Sequence, residues 1–149
     1  MDIYHYTECG LDNVFIEGMN IVEDHSGEET VEIKGIGHLH KVIAEGIVML
    51  PSKISGSELR FLRTEMGMTQ NKLAEILKCT MLTVGRWERD EKPISDNAEM
   101  LIRLMAIEKL SLDVALDVDS VSGKVTQEPR VDTIRVDGSD PEHYHLLAA

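Results

Sequence analysis

Eight residues near the middle of the chain have types and spacing suited to contacting a nucleic acid: Gln70, Thr80, Met81, Leu82, Thr83, Arg86, Arg89 and Lys92. An arginine such as Arg86 can give two parallel hydrogen bonds to guanine O6 and N7, the commonest base-specific contact, or it can hold a phosphate or face solvent. Met81 and Leu82 can pack on thymine methyl groups, or one of them can belong to a core. Thr80 and Thr83 are candidates for phosphate or base contacts, although helix capping alone accounts for Thr80. Arg89 and Lys92 suit phosphate contacts as well as they suit a solvated loop. Other chemistries find no support. There is no glycine-rich phosphate loop, no GxSxG and no HExxH, and the carboxylates are scattered as on a solvated surface, so no enzyme is expected. His5, Cys9, His25, His38 and His40 include no pair at zinc-finger spacing, so no metal and no cofactor are expected.

These residues need two short helices to place them. Residues 69–93 read as helix, tight turn, helix and polar exit loop. Leu73, Ala74, Ile76 and Leu77 are the apolar residues of the first helix; Val84 and Trp87 turn the second inward and leave Thr83 and Arg86 outside. Two helices joined by a turn of about three to four residues form the helix-turn-helix layout, whose second helix can enter a DNA major groove. Thr69 and Thr80 are good N-cap residues for the pair. Upstream, Pro51 marks a boundary, Ser55 and Glu58 have capping-box spacing, and Gly67 stands where a left-handed stop is expected after a helix burying Leu59, Leu62 and Met66. Downstream, residues 96–110 predict a helix whose apolar positions (Ala98, Met100, Leu101, Leu104, Met105, Ile107) cover more than one stripe. A face that wide can serve both its own domain and a second subunit, hence a homodimer.

The ends differ from the middle. Val14-Phe15-Ile16, Met19 to Val22 and Thr30 to Lys34 predict a small β-meander, with turns at Glu17-Gly18 and at Asp24 to Glu29, followed by a helix over 38–50. Beyond Leu116 the pattern weakens; Val131 to Val136 alternates as a lone strand would, in a tail otherwise expected to be flexible. The net charge of −12 argues against DNA binding by bulk attraction, but its distribution does not. Residues 52–92 carry eight basic against six acidic side chains, whereas residues 1–51 carry two against ten and residues 93–149 five against eleven. Acidic flanks oppose non-specific DNA binding or serve a basic partner protein. No apolar run approaches a membrane span, the start is not a secretory signal, and the two cysteines are far apart, which together suggest a cytoplasmic protein with free thiols and no membrane partner.

Arg63 to Gln70, then Leu73-Ala74, Thr83-Val84 and Trp87-Glu88, resemble the lambda-repressor-like (XRE, Cro/cI-type) helix-turn-helix domain over about residues 54–110. The resemblance implies a five-helix DNA-binding domain, usually dimeric, on a palindromic operator. It implies a phosphate contact for Gln70 and a structural pair between Arg63 and Glu88. The chain departs from the pattern at Lys78 and Asp90, where the family usually has glycine; both residues can be accommodated, Asp the better at positive φ. The N-terminal part is weakly similar to MqsA-like (YgiT-type) antitoxins, but it has Cys9 alone and none of their zinc-binding CxxC pairs.

The expected architecture is therefore α+β: an N-terminal α+β unit over 1–51, an all-α five-helix domain over 52–116 and an acidic, flexible, irregular tail over 117–149. The expected function is that of a transcriptional regulator, a repressor, binding double-stranded DNA as a homodimer. The alternative is an antitoxin that neutralises a toxin protein through its acidic N-terminal domain and autoregulates its operon.

Overall fold

The structure, a computed structural model, describes residues 3–19, 21–23, 29–31, 33–125 and 132–147. The expected turn at Asp24 to Glu29, with His25, falls largely outside them. The chain divides into two compact units: residues 1–43 with 132–149, and residues 44–131.

In the first unit, strands β1 (Ile3–His5), β2 (Val14–Glu17), β5 (Ile134–Asp137) and β6 (His145–Leu146) form one sheet in the order β1-β2-β5-β6. β2 and β5 run parallel, with Val14 opposite Ile134 and Ile16 opposite Val136; the outer pairs are antiparallel. The alternation seen in the sequence becomes alternation of burial: Val14, Ile16, Ile134 and Val136 are buried, while Phe15, Glu17, Arg135 and Asp137 are less so. Arg135 Nη2 reaches Glu17 Oε2 at 2.6 Å across the parallel pair. A separate two-stranded sheet pairs β3 (Ile21–Glu23) with β4 (Glu29–Val31). Helix α1 (Ile36–Val48) contributes buried Leu39, Val42 and Ile43 to this unit, and Tyr6 Oη lies 2.8 Å from His40 Nε2.

The second unit takes the end of α1 and then α2 (Gly56–Glu65), α3 (Gln70–Leu77), α4 (Met81–Glu88), α5 (Asp96–Lys109) and α6 (Val118–Val125). Local chemistry starts these helices. The capping box at α2 is complete: the Glu58 amide donates to Ser55 Oγ at 3.2 Å, and the Ser55 amide to Glu58 Oε1 at 2.8 Å. Thr69 and Thr80 accept from the amides of Lys72 and Thr83, and Gly67 stops its helix turn at φ +71°. Leu59, Leu62, Leu73, Ala74, Val84, Trp87, Ile102 and Ala106 form the core.

The expected order of meander, self-contained five-helix domain and irregular tail is corrected by this arrangement. Among the described residues the protein has six helices and a small mixed four-stranded sheet, and is α+β overall. Among the described residues no three-stranded meander forms: β2 pairs with β1 and, in parallel, with β5, while β3 pairs with β4. Residues 52–116 hold four helices, not five. The stretch assigned to the tail instead supplies α6, whose Val121 and Val125, one turn apart, are buried, and strands β5 and β6. Part of the wide apolar face of α5 packs against α6 within the same chain; Leu101 remains half exposed.

The α5 helix also carries a feature absent from the sequence reading. Arg103 is fully buried, bonded through Nε and Nη2 to Glu99 Oε2 and through its other donors to the carbonyls of Val48, Leu50 and Ser52. It ties the segment before α2 to α5. Glu99 Oε2 also accepts from the Ile54 amide, whereas Glu99 Oε1 and Trp87 Nε1 are buried without a hydrogen-bond partner among the described residues. Burial pushes the Glu99 carboxyl up, and Arg103 only partly opposes it.

Candidate nucleic-acid interface

Helices α3 and α4 pack on each other across a short turn, and α4 also packs on α2. The turn bends at Lys78, which ends α3 in the left-handed conformation at φ 59° and ψ 42°. Thr80 then caps α4, its hydroxyl also 2.9 Å from that of Thr83. Val84 and Trp87 face inward and are buried. Met81 and Leu82 are 54% and 57% exposed, so neither belongs to the core. Arg86 is exposed, and Thr83 is half-buried. The outer surface of α4 therefore brings together Met81, Leu82 and Arg86, with Thr80 and Thr83 at its start.

An ion pair joins α4 to the end of α2. Arg63 Nε and Nη2 meet Glu88 Oε2 and Oε1 at 2.6 and 3.1 Å, and Arg63 Nη1 donates to the Met68 carbonyl at 2.8 Å. The two side chains are 13% and 5% exposed, so this is an almost buried, two-pronged pair. Gln70 joins the same network: its Nε2 donates to Glu88 Oε1 at 3.1 Å. The glutamine expected to touch phosphate thus already has a structural partner, and that partner fixes it at the start of α3.

A second seam joins the exit of α4 to the start of α2. Asp90 is left-handed at φ 57°, and its Oδ1 accepts from the Gly56 amide at 2.9 Å. A side chain at position 56 would collide with the carbonyl oxygens of Trp87 and Glu88, so the close approach requires glycine. Gly85 is less constrained: an added Cβ would lie 3.1 Å from Arg89 Nη1 and 3.6 Å from Gln70 Oε1, both ends of side chains that can move.

Arg89 is not placed as an open cation. Its Nε and Nη2 donate to Glu91 Oε1 and Oε2, each at 3.1 Å. The hydrogen bonds to Glu91 raise the Arg89 pKa, and those from Arg89 lower that of Glu91. Lys92 is exposed in the exit loop. The sequence reading missed Glu91 and the Gly56–Asp90 seam. An acidic residue two positions after Arg89 was the available signal for the first; nothing local signals the second. The Cys79 thiol, in the turn, is pushed up by burial.

His5 Nε2 lies 2.6 Å from the Asp12 carbonyl and Cys9 Sγ donates to the Tyr6 carbonyl at 3.4 Å. Asp140, Glu142 and His143 do bring ligand atoms within 4.8 Å of one another, on an exposed turn in the other unit. Among the described residues no helix is long and apolar enough to cross a membrane.

Comparison with known proteins finds no matching family model, no matching curated protein and no matching solved structure.

Proposed function

We propose that the chain is a sequence-specific DNA-binding transcriptional regulator of the lambda-repressor-like type, a cytoplasmic repressor acting as a homodimer on a palindromic operator. The observation that carries this reading is the disposition of α4: a short helix locked from behind by Val84, Trp87 and the Arg63–Glu88 pair, with Met81, Leu82 and Arg86 outward. A rigid helix with its reading side chains exposed is what entry into a major groove requires. Arg86 reads guanine, Met81 and Leu82 pack on thymine methyls, and Thr80, Thr83, Gln70, Arg89 and Lys92 position the backbone. Neither a catalytic step nor a cofactor is part of this reading. The test is binding to duplex DNA across a salt series. Affinity should fall steeply with salt, and Arg86→Ala should cost about 1–3 kcal/mol at one base position while leaving others unchanged. Binding that is indifferent to salt and to Arg86→Ala would exclude it.

The acidic excess of residues 1–51 favours a second role, capture of a basic toxin protein. Co-purification with a small basic partner checks it; failure to retain any such protein rejects it.

A further inference from the structure

The Arg89–Glu91 pair has a geometry that resembles what Arg89 would make with DNA. A carboxylate offers a guanidinium two oxygens side by side, as a phosphate does. Glu91 uses both, at 3.1 Å each. The Arg89 guanidinium and the Gln70 amide oxygen both come within 4 Å of where a side chain at Gly85 would begin. The neighbouring acids are committed elsewhere, Glu88 to Arg63 and Gln70 and Asp90 to the Gly56 amide. The pair is about half exposed on each side, so a phosphate can replace the carboxylate without opening any core.

We propose that Glu91 is an internal competitor for DNA phosphate: it occupies Arg89 in the free protein, and DNA binding exchanges the Arg89–Glu91 pair for an Arg89–phosphate pair. This rests on the DNA-binding reading above. Glu91 thereby sets affinity downward and restrains non-specific binding, as the acidic flanks do at longer range. It acts through Arg89 and touches no base.

The test is a double-mutant cycle read by fluorescence anisotropy on a labelled random-sequence duplex of about 20 base pairs, two helical turns. Glu91→Gln should bind about two- to fivefold tighter at low salt, the free energy of one exposed ion pair. The gain should vanish when Glu91→Gln is made in an Arg89→Ala background. An equal gain in both backgrounds would mean that Glu91 acts only through the general field, and would overturn the proposal. DNA binding with no gain from Glu91→Gln would overturn this inference alone. No binding by the parent or by any variant would overturn the DNA reading and this inference with it.

Discussion

At the scale of single residues, Lys78 and Asp90 both stand at positive φ, yet the structure compensates only one of them. Left-handed backbone costs an L-residue roughly 1–2 kcal/mol, against about 0.5–1 kcal/mol of extra chain entropy lost by a glycine in its place. Lys78 is exposed at the end of α3. Lys78→Gly should therefore stabilise the protein by about 0.5–1 kcal/mol in urea denaturation. Asp90 returns its cost through the bond to the Gly56 amide, so Asp90→Gly should bring no gain. Equal stabilisation by both would contradict this account. These two departures from glycine were visible in the sequence; the partner that distinguishes them, 34 positions away, was not. Glu99 titrates in the opposite sense to a well-paired surface acid. Its folded pKa is raised above the ordinary 4.5, so its contribution is fully present below that value and is lost as pH rises through the higher folded pKa. Relative to Glu99→Gln, the parent protein should lose stability as pH rises from about 4.5, measured by urea midpoints across pH; the reverse slope would show that Arg103 outweighs burial.

At the scale of elements, the starts of α2, α3 and α4 were legible because capping is local: Ser55 with Glu58, Thr69 and Thr80 all act within three residues. Inter-element ties were legible only where a resemblance supplied them. The Arg63–Glu88 pair was anticipated in that way, and its geometry is bidentate and nearly buried. Glu88→Ala should cost about 3–5 kcal/mol, since it strands Arg63 and releases Gln70 together, whereas breaking the exposed Arg89–Glu91 pair should leave the melting temperature almost unchanged. Calorimetric melting of both variants tests the contrast. Glu99 and Arg103 stand at ordinary helical ion-pair spacing, but nothing in the sequence said that this pair faces carbonyls instead of solvent. That was decided by the fold of residues 48–52.

At the scale of the molecule, the main loss was the sheet. Alternation identified strand-like stretches near residues 14 and 134, but parallel pairing sets Val14 opposite Ile134 and Ile16 opposite Val136, far apart in the chain, and no local rule specifies that register. Deleting residues 132–149 removes the neighbour on one side of β2 and the buried Ile134, Val136 and Tyr144. Amide protection over residues 3–17 should then collapse, as seen by hydrogen exchange, because a two-stranded remnant is marginal in water. Retained protection there would mean that β1 and β2 need no partner. The charge distribution was fully legible, and it makes the same demand on function as the α4 surface does. On the proposed DNA-binding reading, a mildly basic centre in a strongly acidic chain would gain affinity from specific contacts, doubled in a dimer, and not from bulk attraction. Light scattering at micromolar concentration should give a dimer; a monomer with and without DNA would remove that part of the account.

Sequence-specific reading by α4 is best tested by selecting bound duplexes from a random pool. The selection should enrich a palindrome with half-sites about 10 base pairs apart, and one base position in each half-site should relax when it is repeated with Arg86→Ala. Recovery of no enriched sequence, or of the same sequence with equal strength from Arg86→Ala, would contradict it.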